Sequence, residues 1–190
     1  MKPETLLQKE DALLIVDVQN DFMPGGALPV PEGDRIVPVL NRWIEAARRA
    51  GAWVIASRDW HPRFHVSFRE QGGPWPEHCV QDTPGAAFHP GLALGPETIV
   101  VSKGTRFDRD AYSAFQDTGL EVFLRTRGVR RLWIGGLAQD VCVLHTVLDA
   151  CRHGFETHWI RDATRPVSAE SGPKAEKDMA RAGARAVDTA

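Results

Sequence analysis

The most informative segment of the chain is Leu132-Trp-Ile-Gly-Gly-Leu-Ala-Gln-Asp-Val-Cys142. Its apolar start predicts a buried strand, which Gly135 and Gly136 are expected to end. A helix is predicted from about Asp140, because apolar residues follow at helical spacing (Val141, Leu144 and Leu148). Cys142 would then lie in the first turn of that helix, where free N–H groups stabilise a thiolate or bind an oxyanion. The alternative interpretation is an ordinary buried cysteine.

Outward from this segment, strand and helix patterns alternate. Apolar runs predict strands at residues 12–17, 52–57, 98–102, 132–134, 157–161 and 184–187. Helices are predicted at residues 36–47, with Asp34 as N-cap, at 120–127, after 140 and at 173–182. This order predicts an α/β three-layer sandwich, Rossmann-like, with a mainly parallel sheet of about six strands and helices on both faces.

Composition sets limits on the class of protein. The 190 residues, with 43% apolar and 25% charged residues, fit one soluble domain spanning 1–190. A net charge of −2 gives no reason to expect nucleic acid or an anionic membrane as partner. No apolar run would span a bilayer, and the N-terminus has no secretory apolar region. Three cysteines make no disulfide framework, so a cytoplasmic location is expected.

Polar side chains follow four predicted strands. Asp17 ends the first, Asp59 and His61 follow the second, Lys103 ends the third and Cys142 follows the fourth. The carboxyl ends of parallel strands meet at one edge of the sheet, which is where such folds bind ligands. The first strand lacks the glycine fingerprint of dinucleotide-binding proteins, which argues against a nicotinamide-dependent dehydrogenase.

Asp17, Lys103 and Cys142 form a candidate catalytic set. A thiol needs a base, which Asp17 supplies, and Lys103 would keep Asp17 ionised and stabilise the thiolate. The alternative is a structural Asp–Lys ion pair at the sheet edge.

Asp59, His61, His65 and His78 form a candidate metal site, because carboxylate and imidazole ligands suit Zn, Fe(II) or Mn(II) alike. The alternative is a set of solvated loop histidines. Aromatic residues in nearby loops are candidates for stacking on a flat ring or for simple loop packing (Phe22, Trp75 and Tyr112).

A family resemblance joins these residues. The motifs are Asp17-Val-Gln-Asn-Asp-Phe22, Arg58-Asp-Trp-His-Pro62, Trp75-Pro-Glu-His-Cys79, Thr83-Pro-Gly-Ala86, Lys103-Gly104 and Gly136-Leu-Ala-Gln-Asp-Val-Cys142. Together they resemble the nicotinamidase/pyrazinamidase family of the isochorismatase-like cysteine hydrolase superfamily, over about residues 13–182.

The resemblance implies roles for individual residues. Asp17, Lys103 and Cys142 would be the triad. The metal ligands would be Asp59, His61 and His78, with His65 as a further ligand or as the holder of a bound water. The oxyanion hole would be the N–H groups of Ala138 and Cys142, next to a cis peptide between Leu137 and Ala138. The residues expected to contact substrate are Phe22, Trp75, Tyr112 and Leu137.

The activity implied is metal-dependent hydrolysis of nicotinamide, or of a pyrazinamide-like amide, to the acid and ammonia through a cysteine thioester. One alternative is a hydrolase of the same superfamily that acts on another aromatic or small amide. The second is a non-enzymatic, metal-holding interaction module, against which the intact triad argues. The resemblance also implies a homo-oligomer and a role in NAD salvage.

Overall fold

Six strands form a single sheet in the computed structural model, which describes residues 2–189. They are β1 (Asp11–Val16), β2 (Trp53–Asp59), β3 (Ile99–Lys103), β4 (Arg131–Leu137), β5 (Glu156–Arg165) and β6 (Arg185–Val187). Neighbouring strands are all parallel, in the order β3-β2-β1-β4-β5-β6. The predicted single domain also includes Met1 and Ala190, which lie outside the described residues.

Helices cover both faces of the sheet. They are α1 (Pro3–Leu6), α2 (Val37–Ala50), α3 (Leu120–Thr126), α4 (Leu144–Arg152) and α5 (Ser171–Arg181). Alternate residues of β1 face opposite sides, so Ile15 packs in a core with α2, and Leu14 packs in a core with α3, α4 and α5. The predicted three-layer α/β fold is confirmed. Among residues 2–189, no helix combines the length and apolar character needed to span a membrane.

The central strand β1 is the most buried element, since all six of its residues are buried. Each fully buried Leu, Ile or Val contributes about 1.5–3 kcal/mol relative to an exposed one. Truncating Leu14 to alanine would therefore cost about 2–5 kcal/mol, because a cavity would remain between β1 and the helices. Strand β1 therefore gives a buried, well-packed support to Asp17, which follows its last residue.

The glycines of β4 do not end the strand, so that prediction is wrong. Gly135 and Gly136 lie inside β4, and Gly136 pairs with Val16 of β1. A Cβ atom at Gly136, where φ is +130°, would lie 2.1 Å from the carbonyl oxygen of Val16. The glycine thus permits a close approach of β1 and β4 rather than a turn.

Several element boundaries also differ from prediction. Asp34 is not the N-cap of α2, because it lies inside a 3₁₀ turn and the helix begins at Val37 without a side-chain cap bond. Helix α5 begins at Ser171, two residues before Pro173, because proline is tolerated in a first helical turn. Strand β5 extends to Arg165, past a register shift against β4. The short helix α1 had no clear signal in the sequence.

The order in which successive strands are added to the sheet reverses between β1 and β4. Strands β2 and β3 lie on one side of β1, and β4, β5 and β6 lie on the other. Strand β1 pairs with β2 on one side and with β4 on the other, so the loops after β1 and β4 diverge. Such a switch point opens a crevice at the carboxyl ends of the strands. Asp17 follows β1 and Cys142 lies five residues after β4, which places both at this crevice.

Candidate active site

Asp17 is held at the point where β1 ends. Its φ is +50°, so the chain turns out of the sheet there, and its N–H donates the last ladder bond to Ser57 at 3.1 Å. The Ser57 hydroxyl donates to Oδ1 of Asp17 at 2.7 Å. The Asp17 side chain is completely buried, and its orientation is therefore fixed by both the backbone and β2.

Lys103, the last residue of β3, brings a buried cation to the same place. Its Nζ lies 2.8 Å from Oδ2 of Asp17 and also contacts the carboxylate of Asp59. The ammonium group donates to the carbonyl of Ala111 at 3.3 Å and points at the sulfur of Cys142 at 3.4 Å. One cation thus faces two carboxylates and the sulfur.

Cys142 lies in a π-helical turn, Gln139–Val143, that leads directly into α4. The cis peptide expected between Leu137 and Ala138 is confirmed. The carbonyl of Ala138 accepts the N–H groups of Val141 and Val143, both at 3.1 Å, which closes the turn around the cysteine. The helical start was predicted within one residue, but its first turn is wider than an α-helix.

Burial and neighbouring charges shift the pKa values of Asp17, Lys103 and Cys142. Burial raises the pKa of the Cys142 thiol well above its usual range, although Lys103 opposes this. Loss of solvent thus opposes the thiolate that Lys103 and the helix start favour. Burial also raises the pKa of Asp17, again against Lys103. Burial opposes the charge on Lys103, but the two carboxylates hold its pKa well above the ordinary lysine value.

These shifts assign complementary properties to the three groups. The thiol keeps its proton at rest, so it requires a base. Asp17, with a raised pKa, holds a proton more readily than an ordinary aspartate and lies at the thiol, since their acceptor atoms are within 4.8 Å. Lys103 stays cationic and compensates whichever of its neighbours is negative.

Asp59, His61 and His78 converge from three segments of the chain. Asp59 ends β2, His61 follows it, and His78 lies in the long loop before β3. Oδ2 of Asp59 is 3.7 Å from Nε2 of His61 and 3.8 Å from Nε2 of His78. These separations exceed hydrogen-bond lengths. All three side chains are buried, so the donor atoms face one another around a small common space.

The tautomers of the two histidines fit a metal ion. Nδ1 of His61 donates to the carbonyl of Gly104 at 3.0 Å, and Nδ1 of His78 donates to the carbonyl of Pro76 at 2.7 Å. Each carbonyl fixes the proton on Nδ1 and leaves the lone pair of Nε2 directed at Asp59. Burial opposes ionisation of Asp59, but Lys103 and both imidazoles hold the pKa of its carboxyl well below the usual range. The donor set is therefore a carboxylate and two imidazoles, which suits a divalent metal.

His65 lies beside this set rather than in it. Its ring stacks on His61 with centroids 4.2 Å apart, and its Nδ1 and Nε2 contact the Ser67 hydroxyl at 2.7 Å and the Arg109 carbonyl at 3.0 Å. His65 shares a second potential donor group with His61 and Asp110. Direct ligation by His65 stays a prediction.

A cavity opens next to the sulfur of Cys142. Phe22, Trp75 and Tyr112 line it, as predicted, together with Leu28, Pro29, Val30, Asp59, His78, Asp110, Ala138, Val141, Cys142 and Val167. The indole N–H of Trp75 donates to the hydroxyl of Tyr112 at 3.0 Å, which fixes one aromatic wall. The aromatic and apolar side chains that line the cavity suit a small flat molecule.

Leu137 does not line the cavity, so its predicted contact with substrate is not supported. The side chain is completely buried in the core on the α2 side of the sheet, beside Gly33. The next residue, Ala138, lies at the cavity instead.

Several residues of the cavity carried no signal in the sequence. Val167 comes from the segment between β5 and α5, which is held in place by Asp140 of the π-helical turn Gln139–Val143. Oδ1 of Asp140 accepts the N–H of Val167 at 2.9 Å, and its Oδ2 accepts the hydroxyl of Ser171. Asp110, two residues before Tyr112, also reaches the cavity. Only a prediction that placed these loops in space would find them.

A comparison with protein-family models matches the isochorismatase domain over residues 11–190. The chain belongs to the isochorismatase family. Among curated relatives, the nicotinamidase of Escherichia coli (strain K12) is 42% identical over 196 aligned positions, covering 91% of this chain and 92% of that protein.

Solved structures of the isochorismatase fold give the same result. The pyrazinamidase of Pyrococcus horikoshii in complex with zinc superimposes with a TM-score of 0.92 at 49% identity, covering 94% of this chain and 99% of that one. PnC1 of L. infantum in complex with nicotinate superimposes with a TM-score of 0.87 at 35% identity, covering 94% and 92% of the two chains. The predicted resemblance to nicotinamidases and pyrazinamidases is confirmed.

Proposed function

We propose that this protein is a metal-dependent amidase that hydrolyses nicotinamide to nicotinate and ammonia. The observation that carries the proposal is that one cavity joins Cys142, with its buried partners Asp17 and Lys103, to the Asp59, His61 and His78 donor set. A nucleophile beside a metal site is what an amide attached to a metal-binding ring requires. The relatives named nicotinamidase and the neighbour bound to nicotinate support the same substrate.

In the first half-reaction, Asp17 takes the proton of the Cys142 thiol as the sulfur attacks the carboxamide carbon. The carbonyl oxygen becomes negative and lies near the N–H groups of Ala138 and Cys142, the proposed oxyanion hole. The C–N bond then breaks, Asp17 returns its proton to the nitrogen, and ammonia leaves. Lys103 balances the charge on Asp17 and on the sulfur throughout.

In the second half-reaction, water attacks the thioester carbon and Asp17 takes a proton from it. The C–S bond breaks, the Cys142 sulfur regains the proton, and nicotinate leaves. The raised pKa of Asp17 suits both proton transfers, because a base that holds its proton more firmly removes one more readily from a buried thiol.

Asp59, His61 and His78 would hold the divalent metal, and Phe22 and Trp75 would hold the faces of the ring. When bound, the metal would supply an open coordination position for the ring nitrogen and so would act as a template. Zn, Fe(II) and Mn(II) all accept these ligands, and the neighbour from Pyrococcus horikoshii contains zinc.

The decisive test is ammonia release from nicotinamide by protein of measured metal content, with pyrazinamide, benzamide and isochorismate assayed in parallel. We expect rapid release from nicotinamide that chelation abolishes and added metal restores. Turnover of another amide alone would keep the Cys142 mechanism and discard the substrate. No turnover of any amide would favour the second alternative, a metal-holding interaction module.

Three statements about the cellular context stay predictions. They are a cytoplasmic location, a homo-oligomeric state and the absence of nucleic-acid or membrane partners. Light scattering on the purified, metal-loaded protein measures the oligomeric state directly. A role in NAD salvage follows from the proposed substrate and product.

A further inference from the structure

Gln19 is a completely buried amide that the proposed chemistry does not use. It lies two residues after Asp17, and its side chain crosses to the end of β2. Its Nε2 donates to the carbonyl of Asp59 at 2.8 Å and to the carbonyl of Ala86 at 2.9 Å. Its Oε1 accepts the N–H of Asp59 at 2.8 Å. Both N–H donors and the oxygen acceptor of the amide are therefore used, and the three hydrogen bonds fix its orientation.

The position of Gln19 explains why Asp59 needs such a partner. The β1–β2 ladder ends where the N–H of Asp17 donates to Ser57, because Asp17 has a positive φ and leaves the sheet. Asp59 is two residues beyond Ser57, so its N–H and C=O face the same side, where β1 no longer continues. On its other side Asp59 still pairs with Lys103 of β3.

We infer that Gln19 is a positioning residue whose amide replaces the missing strand beside Asp59 and so holds that carboxylate in place for the metal. A primary amide has the same donor and acceptor as a peptide group, so it can pair with both backbone groups of one residue. The Gln19 amide also bonds to the carbonyl of Ala86, so it ties the end of β2 to the loop that contains Ala86. Without it, buried N–H and C=O groups would lose their partners.

The consequence reaches two parts of the site at once. The carboxylate of Asp59 both belongs to the metal donor set and contacts Lys103, which in turn faces Asp17 and Cys142. A displacement of the Asp59 backbone therefore moves a metal ligand and the partner of the catalytic cation together. Groups that orient metal ligands typically change metal affinity by about 10–100-fold when removed.

The test compares Gln19→Met, Gln19→Glu and the matched control Gln81→Met. Gln81 also donates its amide to a backbone carbonyl next to Asp59, that of Trp60 at 2.9 Å, but it makes no bond to Asp59. Zn²⁺ affinity is measured on the full-length, metal-stripped proteins by competition with a chromophoric chelator. The visible spectrum of the Co²⁺-loaded proteins reports the ligand geometry, and thermal unfolding without metal reports stability.

We expect Gln19→Met to weaken Zn²⁺ binding about 10–100-fold and to alter the Co²⁺ spectrum, with Gln81→Met within about twofold of the unchanged protein. If Gln19→Met does not fold, Gln19→Glu decides, because it keeps the acceptor for the Asp59 N–H and loses the amide donors. A folded Gln19 variant with unchanged Zn²⁺ affinity and Co²⁺ spectrum overturns the inference, even if its unfolding temperature falls.

The inference rests on the proposed function only through the metal site. If the proposed function fails, the unchanged protein binds Zn²⁺ but releases no ammonia from nicotinamide. If the inference fails, the unchanged protein is active and the Gln19 variants bind Zn²⁺ normally. The two failures are therefore separate observations.

Discussion

The ammonium nitrogen of Lys103 lies 3.4 Å from the sulfur of Cys142. Both groups are buried, so little water screens their interaction, and a charge formed on sulfur is compensated by a cation already in contact with it. The same cation lies against Asp17, the proposed base. The proposed proton transfer from Cys142 to Asp17 would therefore move a negative charge between two neighbours of Lys103 without moving the cation.

Replacing Cys142 with alanine should abolish ammonia release, because no other group in the cavity can form the thioester. We expect a loss of at least about 10³-fold in kcat, with unchanged metal content and circular dichroism. The matched control is Cys151→Ala, which removes a partly exposed thiol on α4 away from the cavity and should leave the rate within about twofold. Turnover by Cys142→Ala at the original rate would disprove the assignment of Cys142 as the nucleophile.

Replacing His61 with alanine should remove bound metal and most of the activity. Two protein ligands would remain, and the imidazole that Gly104 orients would be lost. We expect substoichiometric metal by atomic absorption after dialysis and at least about a tenfold loss of kcat/KM. His89→Ala is the control, since its Nδ1 accepts the N–H of Gly91 in the loop before β3, outside the metal donor set. A metal-replete and fully active His61→Ala protein would eliminate the template role.

Tyr112→Phe should loosen the aromatic wall without touching the nucleophile. The change removes the hydroxyl that accepts the indole N–H of Trp75, while the ring can keep its stack on His145. One hydrogen bond of this kind is worth about 1 kcal/mol, so KM for nicotinamide should rise about fivefold with kcat within about twofold. Steady-state kinetics separate the two constants, and a selective fall in kcat would contradict this assignment.

Asp140→Ala should release the segment that carries Val167. Its carboxylate bonds to the N–H of Val167 and to the hydroxyl of Ser171, and both bonds would be lost. We expect a rise of about 3–10-fold in KM for nicotinamide and a relative gain for bulkier ring amides, since one cavity wall becomes mobile. Asp178→Ala, on α5, is the control. An unchanged preference across a panel of substituted nicotinamides would refute the role of this segment.

His158 should make the metal-free protein less stable in acid. Burial lowers its pKa below the ordinary histidine value, although Glu156 opposes this. The folded protein then holds His158 neutral, while the unfolded chain binds a proton as the pH falls through about 6.5. The free energy of unfolding therefore decreases as the pH drops through that range. Above that range the stabilising contribution of the neutral His158 is complete.

His158→Phe tests this contribution, because phenylalanine can keep the stack on Trp133, whose ring centroid lies 4.2 Å away. Urea unfolding at pH 7.5 and pH 5.5 should show a smaller loss of stability for the variant than for the unchanged protein. An equal loss in both proteins would assign the acid sensitivity to other groups, among which burial also lowers the pKa of His65 and of His145.

Strand ends were the part of the site that the sequence predicted well. Asp17 and Lys103 follow runs of apolar residues, and parallel strands bring such positions together whatever the loops do. The metal donors followed from residue type and from family resemblance. Acid–base behaviour did not follow, because the pKa of Cys142 depends on how much water the folded cavity excludes.

Contacts between distant segments account for most of what was missed. Val167 reaches the cavity because Asp140, 27 positions earlier, accepts its N–H. Gln19 supports Asp59 across 40 positions. Leu137 was misplaced because its side chain is completely buried in the core on the α2 side of the sheet. None of these relationships has a periodicity or a spacing in the sequence.

Gly136 has no reactive side chain, but we expect activity to require glycine at this position because β4 lies so close to β1 there. Because a Cβ there would lie 2.1 Å from the carbonyl of Val16, any larger residue would push β4 from β1 and carry Cys142 away from Asp17. In a saturation mutagenesis screen for activity, position 136 should be as intolerant as position 142, and even alanine should fail. Sequence surveys of variants would therefore mark Gly136 as a loss-of-function site, although it contacts no substrate.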